Sequence, residues 1–327
     1  FNSKVSNWDV SRVGSMTGMF LQAKAFNRDL SKWDVSSVTD MQFMFFNAAS
    51  FKQKLCGANW VNSKAAKKDM FTGSPGMIAQ ELCTVAIGSR VMLKKVVDQC
   101  LKLSPIGICR DGKHGPIEEW DVAAITNMAK AFGGATYFNG DISKWDVSNV
   151  MNTNMLFRAA KFFNGDLSKW DVSRVKGIDN MFFRATSFNG DISKWDVSSV
   201  TDMSSMFSSA KSFTGDLSKW DVSNVQDMTY MFLSAESFNS DLSKWDVSSV
   251  EDMFGMFYDA TAFDSDISDW DVSGLTSVYM KGMFSQAESF SGQLDHWDVS
   301  EVTVMNYVFW GAESFDGDIS KWEVSSV

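Results

Sequence analysis

No run of Lys or Arg interrupts this chain, and its formal net charge is -10. Binding a phosphate backbone needs a basic patch, so nucleic acid is excluded as a partner class. No apolar stretch approaches the ~18 residues that a membrane-crossing helix requires. There are only 2 His. Neither His114 nor His296 has a nucleophile at a telling spacing, and no phosphate-binding loop is present. No enzymatic activity is expected. Prolines number 3 and cysteines 4. The cysteines at 56, 83, 100 and 109 lack the C-x₂₋₄-C spacing of a structural zinc site.

What is abundant is one kind of core residue. The chain holds 13 Trp, 27 Phe and 20 Met, a bias produced by a repeat that reuses the same core positions. With 45% apolar and 21% charged residues in 327, it has the composition of a chain that folds around a core.

The triplet W-D-V recurs every 25 residues, at Trp8 and Trp33 and then from Trp120 through Trp270. It returns after 27 residues at Trp297, and as W-E-V at Trp322. A fixed period of this length marks a solenoid whose coils stack on their neighbours. Within a coil, counting Trp as position 0, Leu or Ile at -3, Trp and Val at +2 flank an alternating segment, which predicts a short strand. Apolar residues at +5, +8, +11, +12 and +15 follow helical spacing, and Ser199 with Asp202 fits a capping box. The expected fold is an α/β solenoid, a leucine-rich-repeat-like stack of strand–helix coils with a parallel sheet on one face. A right-handed β-helix is the alternative.

The array breaks between Trp33 and Trp120, and all four cysteines lie in the break. Residues 1–88 are read as the end of one array with a closing cap. Residues 89–327 are read as a second array with a helical opening cap over 89–118 and nine coils. Arg90–Leu103 forms an amphipathic pattern within that cap. Pairing by proximity gives Cys56–Cys83 and Cys100–Cys109, among the three connectivities that four cysteines allow. Two disulfides imply an oxidising compartment; a four-cysteine zinc site and free thiols are the rival readings. The chain opens on Phe1, in mid-repeat, and stops at Val327, also in mid-repeat, so a longer parent protein is expected.

The repeat unit F-N-G-D-I-S-K-W-D-V-S-S-V-T-D-M-S-S-M-F-S-S-A-K-S-F over 188–213 resembles the BspA-type leucine-rich repeats. These occur in surface proteins of mycoplasmas and other bacteria and in predicted secreted proteins of unicellular algae. The resemblance covers about 1–55 and 115–327. It implies an extracellular or cell-surface location and a role in adhesion or binding, and it brings no catalytic residues. The chain departs from the usual leucine-rich repeat in having Val (Val38, Val200, Val250) where that repeat has a turn Asn. The buried Asn ladder is therefore expected to be missing.

Two surfaces are candidates for contact. One is the predicted strand face, with an outward Asp column at +1 beside a mostly Lys column at -1, and a second Asp column at -4. The acidic patch Asp264, Asp266, Asp269 and Asp271 is the best place on them for Ca²⁺, which favours carboxylate and carbonyl oxygens. Good turn chemistry explains the same columns without a metal. Position +13 varies from coil to coil (Phe46, Arg158, Phe183, Ser208, Leu233, Tyr258, Trp310), and several of these are large and aromatic, as at interface anchors. A two-residue insertion within Tyr279–Met283 should disturb this layer. The expected function is a non-enzymatic extracellular structural protein whose arrays build a fibre or surface layer with copies of themselves. The alternative is an adhesion module for a protein or glycan.

Overall fold

The computed structural model describes residues 5–6, 8–31, 33–80, 87–109, 114–275, 280–325 and 327. They fall into two compact units, Phe1–Val85 and Ala86–Val327. Among the described residues, regular elements are confined to the segment between the arrays: strand β1 (Lys54–Leu55) paired in parallel with β2 (Met77–Ile78), helix α1 (Ala58–Val61), helix α2 (Arg90–Leu103) and a 3₁₀ turn, Ile117–Glu119. Among the described residues no helix is long and apolar enough to cross a membrane.

The second unit opens with α2. The Ser89 hydroxyl caps its first turn by accepting the Met92 N–H at 3.2 Å, and Leu93, Val96, Val97 and Cys100 are buried. Cys100 is disulfide-bonded to Cys109, with Cα atoms 5.2 Å apart. Cys56, in the first unit, is also disulfide-bonded; its expected partner Cys83 lies outside the described residues.

The coils follow as a solenoid, but the expected strand and helix are replaced by turns. The W-D-V segment sits between two tight turns, closed by Trp220 N–H to Leu217 C=O at 3.1 Å and Val225 N–H to Val222 C=O at 2.9 Å. Parallel pairing occurs instead at +7, as a ladder of single bridges from Asn127 through Asn152, Gly177, Asp202 and Asp227 to Asp252. From +8 to +15, where the spacing predicts a helix, the chain makes consecutive turns. Met206 N–H bonds Met203 C=O, Ser208 bonds Ser205 and Ala210 bonds Phe207. The alternate N–H groups, of Met203, Ser205, Phe207 and Ser209, donate instead to carbonyls of the next coil (Asp227, Thr229, Met231, Leu233). Every second turn has its third residue at positive φ, here Ser205 (54°) and Ser209 (56°), the mark of a type II turn. This staircase repeats every four residues. It turns +8 and +12, and +11 and +15, inward together, which is why its apolar spacing imitates a 3.6-residue helix. Asp202 correspondingly closes its own turn, accepting the Ser204 N–H at 2.8 Å, rather than capping a helix.

The core is a set of columns. In the coil of Trp195, the residues Val197, Val200, Met203, Met206, Phe207, Ala210 and Phe213 are all buried. Phe207 stacks on Phe213 at 4.1 Å and on Phe232 of the next coil at 5.7 Å. Each indole N–H finds the one kind of partner a buried Trp needs. Trp195 donates to Leu167 C=O, 28 residues back, and Trp220 to Ile192 C=O, both at 3.1 Å.

The first unit uses the same device. Trp33 donates to Val5 C=O at 3.0 Å. Trp60, two residues late in sequence, still reaches the column and donates to Leu30 C=O at 2.7 Å. In the second unit, register has recovered by Met280, which is buried at the +8 site. The two extra residues therefore fall between Leu275 and Met280, earlier than the spacing suggested. Residues 276–279 lie outside the described set.

Candidate recognition surface

The corner of each coil is occupied by local hydrogen bonding. Every Asp at +1 or -4 that meets a Ser two residues on closes the same small turn. Asp246 accepts the Ser248 N–H at 3.1 Å and its hydroxyl at 2.6 Å, and Asp191 accepts from Ser193 at 3.0 and 2.7 Å. The serine hydroxyl, then the serine N–H, holds these carboxyls below their ordinary value. At -6 runs a ladder that the sequence reading did not anticipate. The Asn139 side-chain oxygen accepts the Asn164 N–H at 2.9 Å, Asn164 accepts that of Asn189 at 2.8 Å, and Asn189 that of Thr214 at 2.9 Å. The array thus has an Asn ladder, displaced to the F-N-G-D turn.

These bonds account for the acidic patch. Asp264 stands in the Asn ladder and accepts the Ser291 N–H and hydroxyl at 2.8 and 2.9 Å. Asp266 is engaged by Ser268 and Asp271 by Ser273. Asp269 is exposed in the column held mostly by Lys. Among the described residues no group of three or more His, Cys, Asp or Glu side chains is placed to hold a metal ion.

The turn face is different. There the backbone satisfies itself, and side chains at +10, +13 and +14 have no shared structural task. Every +10 residue has positive φ, whatever its type: Phe43 (57°), Lys130 (62°), Met155 (58°), Asn180 (56°), Tyr230 (55°), Gly255 (56°), Gly282 (62°) and Tyr307 (60°). The +13 column lies on this face. Phe46, Phe183, Leu233 and Tyr258 are half-buried, Arg158 and Trp310 exposed, and Ser208 buried. Arg158 and Arg184 place their guanidinium groups 4.9 and 5.0 Å from the centre of the Phe183 ring.

Toward the last coils this face opens into a groove of about 510 Å³ lined by Tyr230, Leu233, Tyr258, Tyr307 and Trp310, among others. Two consecutive glycines at +10, Gly255 and Gly282, make the depression, because tyrosines occupy that column on either side. The Tyr230 ring lies across Gly255, where an added Cβ would come within 2.6 Å of it. Tyr230 packs edge-on to Phe254 at 4.8 Å, and Lys281 sits 6.0 Å from the Phe254 ring. Tyr307 and Trp310 are 63% and 56% exposed. Burial, with Asp252 and Tyr258 nearby, raises the Tyr230 hydroxyl above its ordinary value. The +13 members of the groove were legible in the sequence; the +10 column was missed. The signal was present as the run Tyr, Gly, Gly, Tyr at one phase, but only the +13 phase was read along the outward face.

A stacked-coil solenoid with a self-satisfied backbone and one varied face is the class of protein that fold and surface define. A family model described as "Mycoplasma protein of unknown function, DUF285" matches residues 1–82, 107–216, 189–279 and 277–327. The chain belongs to that family. No curated protein matches it. Among solved structures, a TLR13–ssRNA13 complex is similar at 10% identity and a TM-score of 0.24, over 95% of this chain and 46% of the other. The chain thus spans about half the length of that structure. A leucine-rich-repeat protein of Leptospira interrogans is similar at 8% identity and a TM-score of 0.20, over 62% of this chain and 71% of the other.

Proposed function

We propose that this protein is a non-enzymatic extracellular recognition module of the BspA-like kind, in which the coil stack is a rigid scaffold and the turn face makes the contacts. The observation that carries this reading is the division of labour within each coil. Corner residues are repeated and bonded to one another, whereas the turn face varies and culminates in an aromatic groove. Exposed Tyr and Trp on a rigid support are the usual anchors of binding surfaces. The Cys100–Cys109 disulfide supports an oxidising compartment outside the cytosol.

Beads coated with the protein are expected to attach to the surface of cells that produce it. The paired substitutions Tyr307→Ala and Trp310→Ala should abolish attachment, while Lys219→Ala on the corner face should leave it unchanged. Attachment indifferent to both would end this reading.

A second reading, assembly into a fibre or surface layer, is favoured by apolar side chains around α2. Val91, Leu103, Ile106 and Ile108 are 80, 64, 50 and 44% exposed. Regular filaments in electron micrographs of the purified protein, lost in Val91→Ser with Leu103→Ser, would support assembly over adhesion.

A further inference from the structure

We propose that the groove between Tyr230 and Trp310 binds an acidic polysaccharide, with neighbouring uronate pyranose rings on the Tyr307 and Trp310 faces, which stand at 72° to each other, and a carboxylate toward Lys281. This names the ligand of the recognition surface above and rests on that reading.

Three observations carry it. First, the lining of the groove carries a positive charge in an acidic chain, with Asp252 near its Tyr230 end. The protein carries 40 acidic against 30 basic residues, yet the lining contains Lys281 and no Asp or Glu. Lys281 has no ion pair among the described residues, so the groove complements an anion. Second, the rim is made of unused donors. The hydroxyls of Tyr230, Tyr258 and Tyr307 and the indole N–H of Trp310 make no hydrogen bond among the described residues, whereas each fully described indole of the inner column donates to a carbonyl. Third, the walls are flat ring faces: the Tyr230 and Tyr258 rings lie against Gly255 and Gly282, and the Tyr307 and Trp310 rings are exposed. An aromatic face carries negative potential and attracts polarised C–H edges, while the polar rim serves hydroxyl groups. A pyranose presents that combination, C–H groups on its faces and hydroxyls on its perimeter. A carboxylate on the ring adds the charge that Lys281 answers. An acidic peptide would satisfy Lys281 but leave the exposed faces of Tyr307 and Trp310 without a matching ring.

Titration calorimetry on the intact chain tests this with tetramers of galacturonic, mannuronic and glucuronic acid, with neutral maltotetraose, and with tetraglutamate. At least one uronate tetramer should bind more tightly than maltotetraose and tetraglutamate. Trp310→Ala and Tyr307→Ala should each raise its Kd by about tenfold or more, the scale of a lost anchor. Lys281→Gln should raise it about two- to fivefold at low salt, with the difference shrinking as salt rises. Both ring positions are exposed, so these variants keep the core intact; a second route, Leu233→Trp, blocks the groove without removing any proposed contact and should also weaken binding.

Failure of all three uronates to bind overturns the proposal. So does binding that survives Trp310→Ala unchanged, or tetraglutamate binding as tightly, which would reduce the site to charge alone. If the uronates fail while bead attachment still depends on Tyr307 and Trp310, the recognition surface stands with a protein ligand. If attachment is also indifferent, the recognition reading falls with it.

Discussion

The two faces of a coil obey different rules. At the corner, side chains complete the hydrogen bonding: Asp closes onto Ser, Asn onto the next coil's N–H, Trp onto the previous coil's carbonyl. On the turn face from +10 onward the backbone needs no help, because alternate N–H groups bond within the coil and to the next one; only the +9 N–H, at its edge, takes a side-chain acceptor such as Asp202 or Asp252. Buried backbone donors and acceptors must all be paired. Where side chains do that pairing they are locked in type, and where the backbone does it alone they are released. The variable residues sit on the turn face for that reason.

The strongest way to break this contrast is to compare two tryptophans. Trp195 is 3% exposed and its N–H is bonded, so Trp195→Ala should destabilise by about 3–5 kcal/mol in chemical denaturation. Trp310→Ala, on the turn face, should change stability by no more than ~0.5 kcal/mol. Similar effects from both would erase the distinction.

Next in size is the left-handed column. Ser205 has φ 54°, so Ser205→Val should cost about 1–2 kcal/mol, whereas Ser205→Gly should be neutral or stabilising by up to ~1 kcal/mol. Thermal melts would separate the two, and a harmless valine would show that the turn staircase is wrongly drawn. A corner lock is worth less. Asp246→Ala should lose about 0.5–1 kcal/mol, and Asp246→Asn, which keeps an acceptor for Ser248, should recover most of it.

The smallest effects are those of pH, and here the two sides have opposite signs. Serine hydroxyls, chiefly, lower the carboxyls of Asp146, Asp166, Asp171 and Asp191 from the ordinary 3.8. Their stabilisation is complete above that value and is lost as pH falls through the lower folded-state value. Burial chiefly raises Asp252 above 3.8, so its ionised form opposes folding, and protonation as pH falls through the raised value favours it. The melting temperature should therefore rise slightly on mild acidification and fall slightly below about pH 3.8. Asp252→Asn should reduce the rise, to which Asp179 and Glu119 also contribute because burial raises them too, and should leave the fall at lower pH.

Much of the fold was legible in the sequence. The W-D-V period gave the solenoid and its inward Trp, Val, Met and Phe columns, and the Arg90–Leu103 pattern corresponds to helix α2. The interior of the coil was not legible. Alternating turns repeat every four residues and imitate helical spacing, and their left-handed positions hold Tyr, Asn, Lys and Ser as well as Gly, so no regular Gly marks them. Half of the groove was concealed as well. Trp310 and Tyr258 were visible as variable positions, but Tyr230 and Tyr307 were not, because only the +13 phase was read along the outward face, although +10 adjoins it on a helix as well. The displaced Asn ladder was hidden similarly, since Asn-Gly-Asp already explains itself as a turn.

Past Trp120, which opens its array and donates to Gly115 C=O five residues behind it, each inner indole of the second unit reaches back one unit to a carbonyl of the coil before it. The attachment is identical at every step, so a newly copied unit finds its handhold already waiting in its predecessor and offers the same to its successor. Duplication or loss of a whole unit therefore leaves no orphaned partner at the join. Copy number becomes an adjustable dimension of this molecule, and with it the length of the face it presents.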